Sequence, residues 1–290
     1  MSEQTVTLAG DDVTATVLPG LGARVHSVAA FGEDVLHTPA DPAEHRRDPF
    51  FWGGYHMAPW CNRLDPGPVR VGRRTVDLAA NFPDGTAIHG QVFAAPWEVR
   101  GDGEFGVTGG GTGGWPWPYD VTLRVTVTGA DVRLGYALTN TADDPMPAGA
   151  GFHPWFRPPS TARFGARRAF PGNLATPPHP EPVAGPFDVA GRGPLPPDID
   201  STWTDLTEPA VLLGWASGLT MTMHTRYPDA ALVAANPVAR GAAAVELQTH
   251  APDGLRRLLR SEPYGMTLLD PGATLEFAID LGFRRLPAPE

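Results

Sequence analysis

The chain has 290 residues, 42% of them apolar, and a formal charge of −10. That length and apolar content suit one large β domain, and the acidity argues against a nucleic-acid partner, whose phosphates call for a basic surface. All 22 basic residues are arginine, so Schiff-base aldolase chemistry, lysine-anchored pyridoxal phosphate and a Walker-type phosphate loop are excluded.

The first twelve residues, MSEQTVTLAGDD, lack the basic region and apolar core of a signal peptide. No stretch approaches the ~18 apolar residues of a membrane span. Cys61 is the one cysteine; it rules out an intrachain disulfide and fits a reducing compartment. A cytoplasmic location without membrane attachment is therefore expected.

Alternation of apolar and polar residues predicts strands over residues 12–18, 24–30 and 91–100. The glycine run 109–114 leads into WPWPY rather than a helix, so it is not a phosphate loop. The clearest pattern lies in residues 120–140. Val121, Leu123, Val125 and Val127 alternate with polar residues, and Val132, Leu134, Tyr136 and Leu138 repeat the pattern beyond Gly129-Ala130. Period two on both sides of a short turn predicts an antiparallel hairpin with one buried face. Residues 171–197, dense in proline and glycine, read as a long surface excursion. Further strands are expected at 219–224, 243–249 and 274–279, and only residues 253–259 suit a short helix. The 34 glycines and 33 prolines punctuate these strands. The expected architecture is all-β: a large antiparallel sandwich with few short helices, one domain spanning residues 1–290.

Familiar catalytic signatures are missing. There is no G-x-S-x-G, no H-E-x-x-H and no cysteine pair, and the nine histidines contain no i,i+2 or i,i+4 pair to begin a metal site. What stands out is a set of polar residues inside apolar or aromatic runs. They are Asn62-Arg63 in MAPWCNRL, His89 in AIHGQVF, His153 in GFHPWF, Asp200 in PPDIDSTW and Glu246 in AAAVELQTH. Each has a purely structural alternative: a satisfied core histidine, a hydrogen-bonded corner, a turn cap. Glu246 is the hardest to explain that way, because a carboxylate in a buried strand is costly without partners. It reads as a base aimed into a cleft with its pKa raised by desolvation, unless an arginine pairs with it structurally.

In the order MAPWCNRL, AIHG with PWEV following, PMPAGAGFHPWF and VELQTHAPDG, the residues resemble the aldose 1-epimerase (galactose mutarotase-like) family over roughly residues 50–280. The resemblance implies a β-supersandwich with a sugar groove, a monosaccharide substrate, and neither metal nor organic cofactor. It puts Glu246 on the catalytic base and His153 on the catalytic acid. Asn62, Arg63 and His89 fall on sugar-binding positions. Asp200 falls on the aspartate that grips a ring hydroxyl, with Asp198 and Asp205 close enough to compete. Departures at Gly90-Gln91, and around YPDAALVAANP where relatives place a glutamine, leave the particular sugar open, as is a homodimer.

Anomerisation needs a base for the C1 hydroxyl and an acid for the ring oxygen, expected on opposite sides of the acetal carbon. An anionic Glu246 is expected to favour the His153 imidazolium. Phe152, Trp155 and Trp60 are expected to offer apolar walls to the sugar. Three other readings are weighed. One is a hexose-phosphate epimerase using Arg70, Arg73 and Arg74. The others are a carbohydrate-binding protein without turnover and a metal-dependent β-sandwich enzyme.

Overall fold

Valines, leucines and threonines at period two build the hairpin as its pattern predicts. Tyr119–Thr128 pairs residue for residue with Asp131–Asn140, from Tyr119↔Asn140 to Thr128↔Asp131. Gly129 opens the two-residue turn at φ +58, a conformation that glycine adopts without steric cost. The structure is a computed structural model that describes residues 3–171 and 179–286.

From the hairpin the sheet grows in both directions, every ladder antiparallel. On one side lie Glu104–Gly109 and Glu98–Gly101. On the other lie Thr274–Arg285, Leu219–His224 and the C-terminal half of Asp200–Gly214. This 15-residue strand then changes partner. Its N-terminal half joins Ala231–Ala235 and begins a second run through Ala243–Gln248, Gly151–Phe156, Gly54–Met57, Arg24–Ala30, Val13–Leu18 and Val6–Ala9. Thr161–Phe170 pairs along both halves and shifts register between Phe164 and Ala166, a bulge of the kind that bends a sheet.

The two runs face each other. Val25, Phe152 and Phe156 of one lie around a small internal gap with Val132, Leu134, Leu281 and Phe283 of the other. Tyr136 and His56 bridge the layers through a 2.7 Å hydrogen bond between the phenol oxygen and Nδ1. The fold is thus all-β, a large antiparallel sandwich. Its two short α-helices among the described residues are Glu44–Arg47 and Gly254–Leu259, and none of the described helices is long and apolar enough to cross a membrane.

Several expectations need correction. Of residues 91–100 only the end is a strand, Glu98–Gly101; before it the chain turns so that the Trp97 indole can donate to the Val92 carbonyl at 3.1 Å. The strand begun at Thr274 runs on to Arg285. Thr161–Phe170 and Asp200–Gly214 were not predicted, because a glycine in one and a proline in the other interrupt their alternation. Within 171–197, residues 172–178 lie outside the described ones; the others include a two-residue strand at Glu181–Pro182 and a 3-10 turn at Gly185–Phe187.

Candidate active site

Alternation inside GFHPWF explains why a histidine sits among aromatic residues. Phe152 and Phe156 join the inter-sheet core, whereas His153 and Trp155 point to the opposite face, as period two requires. The neighbouring Ala243–Gln248 strand behaves likewise. Ala243, Val245 and Leu247 face the core, and Glu246 faces the His153 side. The register Gly151↔Gln248 and Phe152↔Leu247 continues to set His153 directly across from Glu246, and Tyr55 pairs with His153 from the other side.

These side chains form the floor of a cavity of about 430 Å³. His153 Nε2 lies 3.1 Å from Glu246 Oε1, and the Gln248 amide donates to Glu246 Oε2 at 2.6 Å. The Tyr55 ring stacks on the imidazole, centroids 4.4 Å apart and planes at 23°. His89 meets His153 edge-on at 5.0 Å. Buried polar atoms without partners collect here: His153 Nδ1, His89 Nδ1 and Gln248 Oε1. Buried polar atoms are normally satisfied, so such a cluster marks a place prepared for a polar guest.

Arg63 and Asp200 stand on the wall. Arg63 Nε donates to Asp84 at 2.7 Å, and its Nη2 lies 3.6 Å from Asp200. Asp198 lines the cavity as well, with one oxygen accepting from the Val238 amide at 3.1 Å. Asp205 is elsewhere, accepting from the Tyr264 hydroxyl. Trp155 forms an apolar wall, its indole donating to the Phe50 carbonyl at 2.9 Å.

Three predicted contacts do not reach the cavity. Trp60 is buried in the main core with its ring 5.2 Å from that of Trp115. It shares the core side with Phe152, which stacks on His56, so neither is a sugar wall. Asn62 lies behind Arg63 in a left-handed conformation, and its side-chain oxygen accepts the Arg63 amide at 2.8 Å. It shapes the corner that presents the guanidinium.

Burial dominates the proton affinities. It pushes the Glu246 carboxyl well above the usual carboxylate range, with Asp200 adding to the shift and Gln248 and Arg63 opposing it. It pulls His153 down to about 3, with Arg24 and Arg63 contributing, and holds His89 well below the ordinary imidazole value. Both shifts favour the neutral carboxyl and the neutral imidazole over the imidazolium expected beside an anionic Glu246.

The sequence reading missed Tyr55, Gln248 and the aromatic segment containing Phe50 and Phe51. Gln248 had a signal, since it lies two residues past Glu246 on the same strand face. Tyr55 had none, because its pairing with His153 spans nearly a hundred residues.

The aldose 1-epimerase family model matches residues 4–280. The chain belongs to the aldose 1-epimerase family. Among solved structures, a galactose mutarotase-like protein from Clostridium acetobutylicum superposes with a TM-score of 0.83 at 16% identity, covering 98% of this chain and 96% of its own. The GalM/aldose epimerase homologue from C. elegans gives 0.79 at 17% identity, covering 98% and 100%. Galactose 1-epimerase from Lactobacillus acidophilus gives 0.74 at 17% identity, covering 97% and 94%. At these identities the superpositions establish the shared fold. No curated protein matches the sequence. Among the described residues no three His, Cys, Asp or Glu side chains converge as a metal site would require.

Proposed function

We propose that this member of the family is an aldose 1-epimerase that interconverts the α and β anomers of a free aldose. It works as one cytoplasmic domain without metal or organic cofactor. The observation that carries this reading is the 3.1 Å contact between a buried carboxyl and a buried imidazole at the floor of a sugar-sized cavity.

The ring oxygen and the C1 hydroxyl of a pyranose are bonded to one carbon, so an acid and a base placed side by side can address both at once. Adjacent placement therefore replaces the opposed one expected from the sequence. A proton crossing the 3.1 Å contact converts the neutral pair into a Glu246 carboxylate and a His153 imidazolium. In that form Glu246 takes the C1 hydroxyl proton while His153 protonates the ring oxygen, and the C1–O5 bond breaks to give the open-chain aldehyde. Rotation about C1–C2 presents the other carbonyl face. Glu246 then returns its proton to the carbonyl oxygen while His153 recovers one from the attacking hydroxyl. Arg63, His89 and Asp200 offer hydrogen bonds to the remaining hydroxyls, and Trp155 faces the C–H surface.

A neutral sugar is favoured over a phosphorylated one. Both arginines that line the cavity are paired with carboxylates: Arg63 with Asp84, and Arg240 with Asp48 at 2.8 Å. Arg73 and Arg74 are bound to Asp143 and Asp144 away from the cavity. A binding protein without turnover has no use for a buried acid–base pair. Polarimetry on freshly dissolved α-glucose, α-galactose and a hexose 6-phosphate tests the proposal. Accelerated mutarotation of a free sugar supports it, and acceleration of the phosphate alone would replace it.

A further inference from the structure

Arg24 is a fully buried guanidinium, 1% exposed, with no ion-pair partner among the described residues. Burying an uncompensated charge is expensive, so its surroundings should show what it holds. It donates to the carbonyls of Pro49 at 2.6 Å, Phe51 at 3.3 Å and Trp52 at 2.8 Å. Three donors of one planar fork thus clamp the segment that carries Phe50 and Phe51 into the cavity wall. Its guanidinium carbon also lies 5.0 Å from the centroid of the Tyr55 ring.

The strand registers make these contacts part of a single line. Val25↔Gly54 places Arg24 across from Tyr55, Tyr55 pairs with His153, and His153 lies across from Glu246. Arg24, Tyr55, His153 and Glu246 therefore form one lateral row over four adjacent strands, linked by contacts of 5.0, 4.4 and 3.1 Å. Directly opposed residues share a sheet face and touch. Tyr55, on the intervening strand, is held between the guanidinium and the imidazole.

We propose that Arg24 and Tyr55 are positioning residues for the anomerisation: Tyr55, seated by Arg24, fixes the plane of the His153 ring and aims Nε2 along the row. The proposal rests on the epimerase reading above. Arg24 also acts by charge, adding to the burial that disfavours the His153 imidazolium. The other titratable or charged groups around His153 are Glu246 from the Ala243–Gln248 strand, Tyr55 from Gly54–Met57, His89 beyond Ala87–Ile88, and Arg63 on the wall.

The test uses the full chain with four substitutions. Tyr55→Leu removes the ring and is expected to lower kcat roughly 10- to 100-fold while KM moves less than about threefold, the pattern of lost orientation rather than lost binding. Tyr55→Phe, which keeps the ring, is expected to restore kcat to within about threefold of wild type. Arg24→Met is expected to move the acid limb of the kcat profile to higher pH, and Arg24→Lys, which keeps the charge, to leave that limb in place. A histidine-ring NMR titration, with the His153 signal assigned through His153→Asn, reads the same shift without substrate. A wild type without mutarotase activity would sink the epimerase reading, and the NMR titration would still decide the role of Arg24. A folded Tyr55→Leu protein with wild-type kcat, a Tyr55→Phe protein as impaired as Tyr55→Leu, or a His153 titration unmoved in Arg24→Met would each overturn the proposal. If Arg24→Met does not fold, the two Tyr55 variants decide it.

Discussion

Two concavities of similar size lie on this sandwich, and they differ in what their polar groups are doing. The one on the outer face of the central hairpin, about 560 Å³, is the larger. Its floor is Gly135, Ala137 and Ala278, and four of its six charged residues pair with one another at the surface, Arg133 with Asp280 and Arg124 with Glu104. The cavity over His153 and Glu246, about 430 Å³, is smaller. At its floor His89, His153 and Glu246 are buried, several polar atoms lack partners, and the proton affinities of His153 and Glu246 are displaced toward the neutral forms. Volume alone does not distinguish a site. Costly burial of groups that a folded chain would otherwise satisfy does.

The contrast can be broken or sharpened by experiment. The largest effect is expected at the acid–base pair: Glu246→Gln and His153→Asn should each slow anomerisation about 10²–10⁴-fold in polarimetry, with the fold retained by circular dichroism. Wild-type rates in either variant would remove that residue from its role.

A second effect is on stability in acid. His45, His56 and His153 are held near 3 and His250 near 4 by burial. The unfolded chain binds protons at these positions from about pH 6.5 downward, whereas the folded one does not. The contribution of these histidines to stability should therefore be full above that value and fall as pH drops through the window from about 6.5 to 3, read as a declining urea midpoint. A midpoint flat from pH 7 to 4 would contradict the buried neutral state.

A smaller effect has the opposite pH sense. Glu246 keeps its proton in the folded state well above the ordinary value of 4.5, so its contribution to stability is whole below 4.5 and declines as pH rises above it. Glu246→Gln should then match wild type in melting temperature near pH 4.5 and exceed it by a few degrees at pH 8, at about 2–4 °C per kcal/mol for a chain of this size. A variant no more stable than wild type at pH 8 would contradict the raised proton affinity of the Glu246 carboxyl. The smallest effect is expected on the hairpin face. Arg133→Ala should leave mutarotation unchanged and alter stability by less than about 1 kcal/mol, as for exposed ion pairs; a loss of activity there would erase the distinction between the concavities.

Local pattern and tertiary pairing contributed differently to what could be read. Residues 120–140 declared their hairpin because alternation and turn chemistry are written in neighbouring residues. Glu246 declared itself because a carboxylate in Ala-Ala-Ala-Val-Glu-Leu violates the economy of a buried strand. The resemblance supplied the family and the positions of His153, Arg63, His89 and Asp200. It also suggested contacts for Asn62, which folding put behind the wall, while Trp60, expected as an apolar wall, went into the core.

By itself, then, the sequence determined an all-β chain without lysine chemistry, its strongest hairpin, and a short set of polar residues too costly to bury idly. Only the tertiary structure decided that Arg24, Tyr55, His153 and Glu246 share one row, that burial rather than attraction sets the protonation of the pair, and which aspartates reach the cavity. The reason is physical. Strand alternation is a local property of the chain, whereas sheet register and desolvation arise only when segments tens to nearly a hundred residues apart are laid side by side.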